Sequence, residues 1–287
     1  MSTARARIMF LTAVFIYGTI GPFVRFVDAP SEVVVLVRGL LGTLTIAIAL
    51  LVRGRPLDAG AIRRNLPWMV GTGICLGLNW VFLFAAYQYT SIAVASVFNY
   101  TAPLIIVLLA PIVFSECVSV LKFACVAAAM VGVVLVSGVV GSGSDAFDPL
   151  GVGLGVLSAL GFVGIVICNR MVDEVDSLER VLIQLGVAAL VALVYVVLRH
   201  GGVPWPHDAR SWAIMAMLGV IHTGLAYILW FGAQAHLPLQ EIALLGYVEP
   251  VMNVLLSALV LGEPLTALGY VGASLVLGAA AASEVVE

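Results

Sequence analysis

The chain has 287 residues, of which 62% are hydrophobic and only 10% are charged, whereas about a quarter of the residues in an ordinary soluble domain carry a charge. So few charges exclude a globule that faces water on all sides, and the sequence predicts an integral membrane protein in contact with lipid. The formal net charge is −3, and no basic block indicates a nucleic-acid-binding face.

Long apolar runs divide the chain into ten candidate membrane spans. About 20 mainly apolar residues, at a rise of 1.5 Å each, cross the hydrocarbon core of a bilayer as a helix. Because the runs are continuous and do not alternate between polar and apolar residues, they predict helices and exclude a transmembrane β-barrel. Charges and Pro/Gly clusters separate the predicted spans, which are 7–26, 31–52, 66–88, 91–114, 120–139, 150–171, 178–198, 211–234, 239–261 and 265–283.

The positions of Lys and Arg predict how the spans are oriented. If the N-terminus is cytoplasmic, nine basic residues lie on the cytoplasmic side, and three lie outside: Arg25, Arg199 and Arg210. Cytoplasmic loops carry an excess of Lys and Arg. We therefore expect both termini in the cytoplasm.

The two halves of the chain, 1–144 and 145–287, repeat one pattern of five spans each. A shift of 147 residues places segment 90–116 on segment 237–263 without a gap. The aligned pairs include Tyr100 with Tyr247, Pro103 with Pro250 and Glu116 with Glu263. Because five is an odd number, the second copy must enter the membrane from the opposite side, which is typical of inverted-repeat transporters with a site near the midplane between the halves.

Each half resembles the EamA repeat of the drug/metabolite transporter superfamily. The resemblance rests on a Pro-containing span followed by a Gly/Ser-Glu pair, seen here as Asn99-Tyr-Thr-Ala-Pro103 with Ser115-Glu116, and as Tyr247-Val-Glu-Pro250 with Leu261-Gly-Glu263. It covers the whole chain and implies an all-α membrane protein of ten transmembrane helices in two inverted five-helix repeats. The first half departs from this symmetry at Ala102, where the second half has Glu249.

The same resemblance implies a function. Within the family the chain is most similar to bacterial exporters of amino acids and other metabolites, aromatic amino-acid exporters among them. This implies alternating-access export of a small organic solute across the cytoplasmic membrane, with no enzymatic activity, cofactor or metal. Lipid and the solute are then the expected partners and nucleic acid is not, and the sequence leaves the oligomeric state open, with a monomer compatible.

Two ionisable residues well inside the spans are candidate substrate contacts. A charge at membrane depth costs about 2.5–3.5 kcal/mol on insertion scales, so it favours a functional interpretation. Arg38 and Glu249 could hold the two poles of a zwitterion or relay a proton. In the alternative interpretation, Arg38 extends to the interface or pairs structurally, and Glu249 satisfies backbone groups that Pro250 frees.

Polar and aromatic stripes on two spans complete the predicted site. At 100° per residue, His222, Tyr227 and Trp230 fall on one arc of their helix, and such a stripe should face a cavity or a neighbouring helix because lipid offers it no partner. We expect hydrogen bonds to the substrate from Asn79, Tyr100 or His222, with Arg38 attracting it from the outer side. The predicted substrate-binding residues are Tyr17, Arg38, Asn79, Trp80, Tyr100, His222, Tyr227, Trp230 and Glu249.

Prolines within the spans predict where helices bend. Pro22, Pro103 and Pro250 each remove one backbone donor and free the carbonyl four residues earlier. A freed carbonyl that faces a cavity can accept a hydrogen bond from an ammonium group or water.

Three other interpretations stay open at this level. A carrier of nucleotide-sugars or triose phosphates would need several cations in its cavity. An intramembrane enzyme would need an acid-base pair, for which His222 and Glu249 are the candidates. A passive channel would lack saturable counterflow.

Overall fold

A computed structural model of the chain describes residues 2–24, 26–54, 56–90, 92–113, 119–136, 140, 148–234, 236–237, 249 and 267–284. Within these ranges all regular secondary structure is helical. The first half contains α1 (Thr3–Gly18), α2 (Ile20–Val24), α3 (Ser31–Arg53), α4 (Ala59–Ala86), α5 (Ile92–Asn99), α6 (Ala102–Val113) and α7 (Val120–Val136). The second half contains α8 (Pro149–Arg170), α9 (Ser177–His200), α10 (Ala209–Gly219), a π-helical turn (Val220–Leu225), α11 (Ala226–Gln234) and α12 (Ala267–Glu284).

Five of these helical segments are long and apolar enough to cross a membrane: Ser31–Arg53, Ala59–Ala86, Pro149–Arg170, Ser177–His200 and Ala209–Ala233. They confirm five predicted spans. Three other spans, near 7–26, 91–114 and 120–139, correspond to broken or shorter helices, and 265–283 corresponds to α12. The predicted span 239–261 lies outside the described residues except for Glu249.

Helix α4 begins earlier than the predicted span 66–88. Its N-cap is Asp58, whose carboxylate accepts a hydrogen bond of 2.9 Å from the backbone N–H of Ala61. An acidic N-cap satisfies one of the free donors of the first turn, so the helix starts at the cap although the apolar run begins later.

Two predicted spans are broken where proline removes a backbone donor. Helix α1 ends at Gly18 and α5 ends at Asn99, which are the residues whose carbonyls Pro22 and Pro103 leave without a donor. The predicted bends at these two prolines are confirmed. Pro250 lies outside the described residues.

Helices α3 and α9 run antiparallel, and an ion pair joins them at each end. Arg53 Nη1 lies 2.8 Å from Asp176 Oδ2 at one end, and His200 Nε2 lies 2.8 Å from Glu32 Oε1 at the other. Burial acts to raise the pKa of Asp176, but hydrogen bonds from Arg53 and from the backbone of Leu178 outweigh it and hold this pKa below its usual value. Arg199 Nε also lies 3.5 Å from Glu32 Oε1, so each helix begins with an acid that faces an arginine at the end of the other.

The two helices also correspond under the sequence shift of 147 residues. Gly54 and Gly201 follow their last residues with φ angles of 66° and 70°, in the left-handed conformation that favours glycine at a helix end. Near the middle, a Cβ atom on Gly39 would lie only 2.9 Å from the Cβ of Ala189. The glycine allows the two helices to approach this closely.

The remaining helices also pack across the halves. Helix α4 packs against α8, α1 packs against α11, and α7 packs against α12. Each of these pairs joins one helix from the first half to one from the second. The two halves are therefore interleaved in one helical bundle.

Replacing Gly39 with alanine should lower the free energy of unfolding by about 1–3 kcal/mol, because the added methyl overpacks a contact with the backbone and side chain of Ala189. Gly186→Ala is the matched control at the position 147 residues later, where the nearest atom, Thr43 Cγ2, is 3.7 Å away. There, removing a helical glycine should stabilise the protein by up to about 1 kcal/mol. Thermal unfolding of the purified variants in detergent measures both, and equal midpoints would contradict the close approach.

Candidate substrate cavity

A cavity of about 620 Å³ lies between helices of both halves. Its volume is in the range of small-molecule sites. Eight of the nine predicted site residues line it: Tyr17, Arg38, Asn79, Trp80, Tyr100, Tyr227, Trp230 and Glu249. They come from α1, α3, α4 and α11, from the break after α5, and from the isolated described residue 249.

Aromatic rings form one wall of the cavity. The ring of Tyr17 lies edge-on to Tyr227 at a centroid distance of 6.1 Å and lies 5.7 Å from Trp230. Tyr227 stacks on Phe231 at 5.7 Å. Because α1 belongs to the first half and α11 to the second, this wall joins the two halves.

Arg38 is buried at the wall of the cavity, with only 5% of its surface exposed. The carbon at the centre of its guanidinium group lies 4.8 Å from the centroid of the Trp80 ring, and its Nε donates a 3.2 Å hydrogen bond to Thr223 Oγ1. None of the acids that the structure describes forms an ion pair with it. We expected Arg38 to attract the substrate from the outer side, whereas the structure places Arg38 in the lining of the cavity itself.

Asn79 lines the cavity, but its side-chain amide is engaged by neighbouring helices. Its Nδ2 atom donates to Asn99 Oδ1 at 3.0 Å, and to the carbonyl and hydroxyl oxygens of Ser158 at 2.8 and 2.9 Å. The Ser158 hydroxyl donates in turn to Asn99 Oδ1 at 2.7 Å. This network ties α4 to α5 and α8, so Asn79 holds helices together around the cavity.

His222 is the one predicted site residue that does not line the cavity. It is buried, with Nε2 2.7 Å from Thr19 Oγ1 and Nδ1 3.3 Å from the carbonyl oxygen of Met217. It lies in the π-helical turn Val220–Leu225, and its ring faces Phe23 on α2 at a centroid distance of 5.6 Å.

Glu249 and Tyr100 line the same cavity. The phenol groups of Tyr17 and Tyr227 line it as well. The cavity therefore holds a carboxyl group together with these three phenols, whose hydroxyl groups are hydrogen-bond donors.

Sequence reasoning missed several amide and hydroxyl side chains at or beside the cavity, of which four make hydrogen bonds between α4, α5, α8 and α9. Two are Asn99 and Ser158, and the other two are Asn169 and Gln184, which join α8 to α9 through a 2.7 Å hydrogen bond. A single amide inside an apolar helix could have identified them, because polar side chains at membrane depth commonly form hydrogen bonds between helices.

Comparison with known proteins identifies the family. The model of the EamA-like transporter family matches residues 4–138 and again residues 149–283. The chain belongs to this family. The two matches give an EamA protein with two copies of the domain, in agreement with the repeat of the sequence.

Relatives of this EamA protein are named as transporters. It is 26% identical over 259 residues to the uncharacterized transporter YxxF of Bacillus subtilis, which covers 90% of this chain and 82% of the relative. It is 26% identical over 200 residues to an uncharacterized transporter of Haemophilus influenzae, covering 69% of this chain and 63% of the relative. A crystal structure with 21% identity superposes with a TM-score of 0.77 over 98% of both chains, which supports the fold. The protein is a multi-pass membrane transporter, and its family is not one of enzymes.

Replacing Asn79 with leucine should lower the free energy of unfolding by about 1–3 kcal/mol, because Asn99 and Ser158 then lose a buried donor. A double-mutant cycle with Ser158→Ala tests the network directly. The double variant should lose less stability than the sum of the single losses, since both changes remove the hydrogen bond from Asn79 Nδ2 to the Ser158 hydroxyl. Additive losses in thermal unfolding would contradict the network.

Proposed function

We propose that this EamA protein exports small zwitterionic or neutral organic solutes, chiefly aromatic or large neutral amino acids, from the cytoplasm by alternating access. The observation that carries the proposal is the cavity between the halves, which combines an aromatic wall with one buried cation, Arg38, and one acid, Glu249. We choose this substrate class because the sequence resembles amino-acid exporters, while the relatives found by comparison are named only as uncharacterized transporters.

The cavity chemistry favours a flat apolar group on the substrate. Aromatic pairs contribute about 0.5–1.5 kcal/mol beyond the burial of their area. Tyr17, Tyr227 and Trp230 offer such faces on α1 and α11. Among the lining residues that the structure describes, Arg38 is the one Lys or Arg, whereas a nucleotide-sugar or sugar phosphate would be matched by more cations.

The arrangement of the halves supports alternating access. We propose that 1–144 and 145–287 are inverted repeats related by a rotation axis in the membrane plane, because α3 and α9 pair antiparallel and correspond under the 147-residue shift. The breaks after α1 and α5 lie beside the cavity and provide points at which helix segments can move. The excess of basic residues on one side supports a cytoplasmic membrane location with both termini inside.

Purified protein in proteoliposomes should exchange labelled L-phenylalanine for unlabelled L-phenylalanine in saturable counterflow. Tyr227→Leu should reduce this rate at least about fivefold, because it removes a ring from the cavity wall. Tyr270→Leu is the matched control, since Tyr270 lies on α12 with 62% of its surface exposed. Equal rates in the two variants would contradict the aromatic site, and an absence of counterflow across a panel of amino acids would contradict the substrate class.

We assign the coupling proton to Glu249, because it is the one acid well inside a predicted span. With an imposed pH gradient, Glu249→Gln should lose gradient-driven accumulation of L-phenylalanine and keep counterflow, since glutamine has a similar shape but cannot carry the proton. Unchanged accumulation in the variant would exclude Glu249 as the proton carrier. Wild-type protein that shows no gradient-driven accumulation would contradict proton coupling.

A further inference from the structure

Two neighbouring side chains, Thr223 and Trp80, contact the guanidinium group of Arg38. Its Nε is occupied by the 3.2 Å hydrogen bond to Thr223 Oγ1, and one face lies against the ring of Trp80. No hydrogen bond joins either Nη atom to another residue in the part of the chain that the structure describes, and Arg38 lines the cavity. The donors left for a ligand are therefore the two terminal amino groups.

Thr223 is itself held firmly in the π-helical turn. It is fully buried, and its hydroxyl donates a 2.9 Å hydrogen bond to the carbonyl oxygen of Leu218, five residues earlier. Its methyl group packs so closely on α3 that a Cβ atom on Gly42 would lie 2.6 Å from it. Because the hydroxyl proton goes to Leu218, the oxygen lone pairs remain to accept from Arg38.

We propose that Arg38 binds the carboxylate of the substrate through both terminal amino groups, and that Thr223 is the positioning residue that aims this pair. The inference rests on the proposed function and deepens it, because it makes a free carboxylate a requirement for binding. The guanidinium group lies over the Trp80 ring and is hydrogen-bonded at Nε, and its two terminal amino groups form a planar pair of donors that matches the two oxygens of a carboxylate.

The burial of Arg38 gives the same conclusion from energetics. A buried charge is costly unless it is paired and hydrogen-bonded. The Trp80 ring and the neutral hydroxyl of Thr223 each contact part of the group, and neither brings a negative charge. A carboxylate entering the cavity supplies that charge, whereas the corresponding amide does not.

The test compares each acid with its amide, which removes the negative charge with little change of size. Counterflow in proteoliposomes is inhibited with L-phenylalanine or L-phenylalaninamide, and with L-leucine or L-leucinamide, at about pH 6, where α-amino groups are protonated. The wild type should prefer each acid by about tenfold or more, in line with a hydrogen-bonded charge pair. In Arg38→Met this preference should fall to about one, and in Arg38→Lys it should be intermediate, because lysine keeps the charge without the planar pair of donors.

Variants of Thr223 separate positioning from a structural role. Thr223→Val has nearly the same shape but no acceptor for Arg38 Nε, so the acid-to-amide preference should drop several-fold. Thr223→Ser keeps the hydroxyl and should retain the wild-type preference. Melting temperatures of both variants are measured alongside, since a loss of stability alone would reduce the rates for acid and amide equally.

An unchanged preference in Arg38→Met, or equal inhibition by acids and amides in the wild type, would overturn the carboxylate site while leaving amino-acid transport intact. If no amino acid is transported, the proposed substrate class fails, and the carboxylate site is tested by thermal stabilisation with 3-phenylpropionate and 3-phenylpropanamide. Stronger stabilisation by the acid, lost in Arg38→Met, would support the site. Equal effects of the two compounds would overturn it.

Discussion

The close antiparallel contact of α3 with α9 is the constraint on which the rest of the structure depends. It brings one helix from each half together, with Gly39 against Ala189 and an ion pair at either end. Helix α3 carries Arg38, and α9 carries Gln184, which reaches Asn169 on α8. The pair of α3 and α9 therefore positions both Arg38 and the hydrogen bond between Gln184 and Asn169 at the cavity.

Polar side chains inside the bundle fall into two groups. In one group the protein supplies the hydrogen-bond partners, and in the other it leaves donors for a solute. Asn79, Ser158 and Asn99 satisfy one another across three helices, and His222 is satisfied by Thr19 and a backbone carbonyl. Such pairing is what an apolar environment demands of structural groups. Arg38 differs because it lines the cavity while, among the described residues, only its Nε has a hydrogen-bond partner.

Hydropathy and proline positions predicted most of the architecture. The runs of apolar residues identified the long helices because a membrane requires about 20 such residues in a row. Pro22 and Pro103 identified the helix breaks because a missing donor has a purely local effect. The start of α4 was placed too late, since the Asp58 cap acts on the backbone and leaves no signal in hydropathy.

The sequence predicted which residues line the cavity better than it predicted their contacts. Eight of the nine expected residues line the cavity, because polar, charged and aromatic polar side chains at membrane depth face the interior of the bundle in preference to lipid. His222 was placed at the cavity because helical phase groups it with Tyr227 and Trp230, whereas its ring nitrogens lie beside Thr19 and the carbonyl oxygen of Met217. The role of Asn79 depends on Ser158, which is 79 residues away in sequence, and one sequence carries no sign of that contact.

A structure of the protein with bound L-phenylalanine tests the central claim most directly. The account predicts density in the cavity between the halves, with the carboxylate within hydrogen-bond distance of both Nη atoms of Arg38 and the ring against the wall that contains Tyr17 and Tyr227. Density for the ligand at another place, or a bound ligand whose carboxylate makes no contact with Arg38, would contradict it.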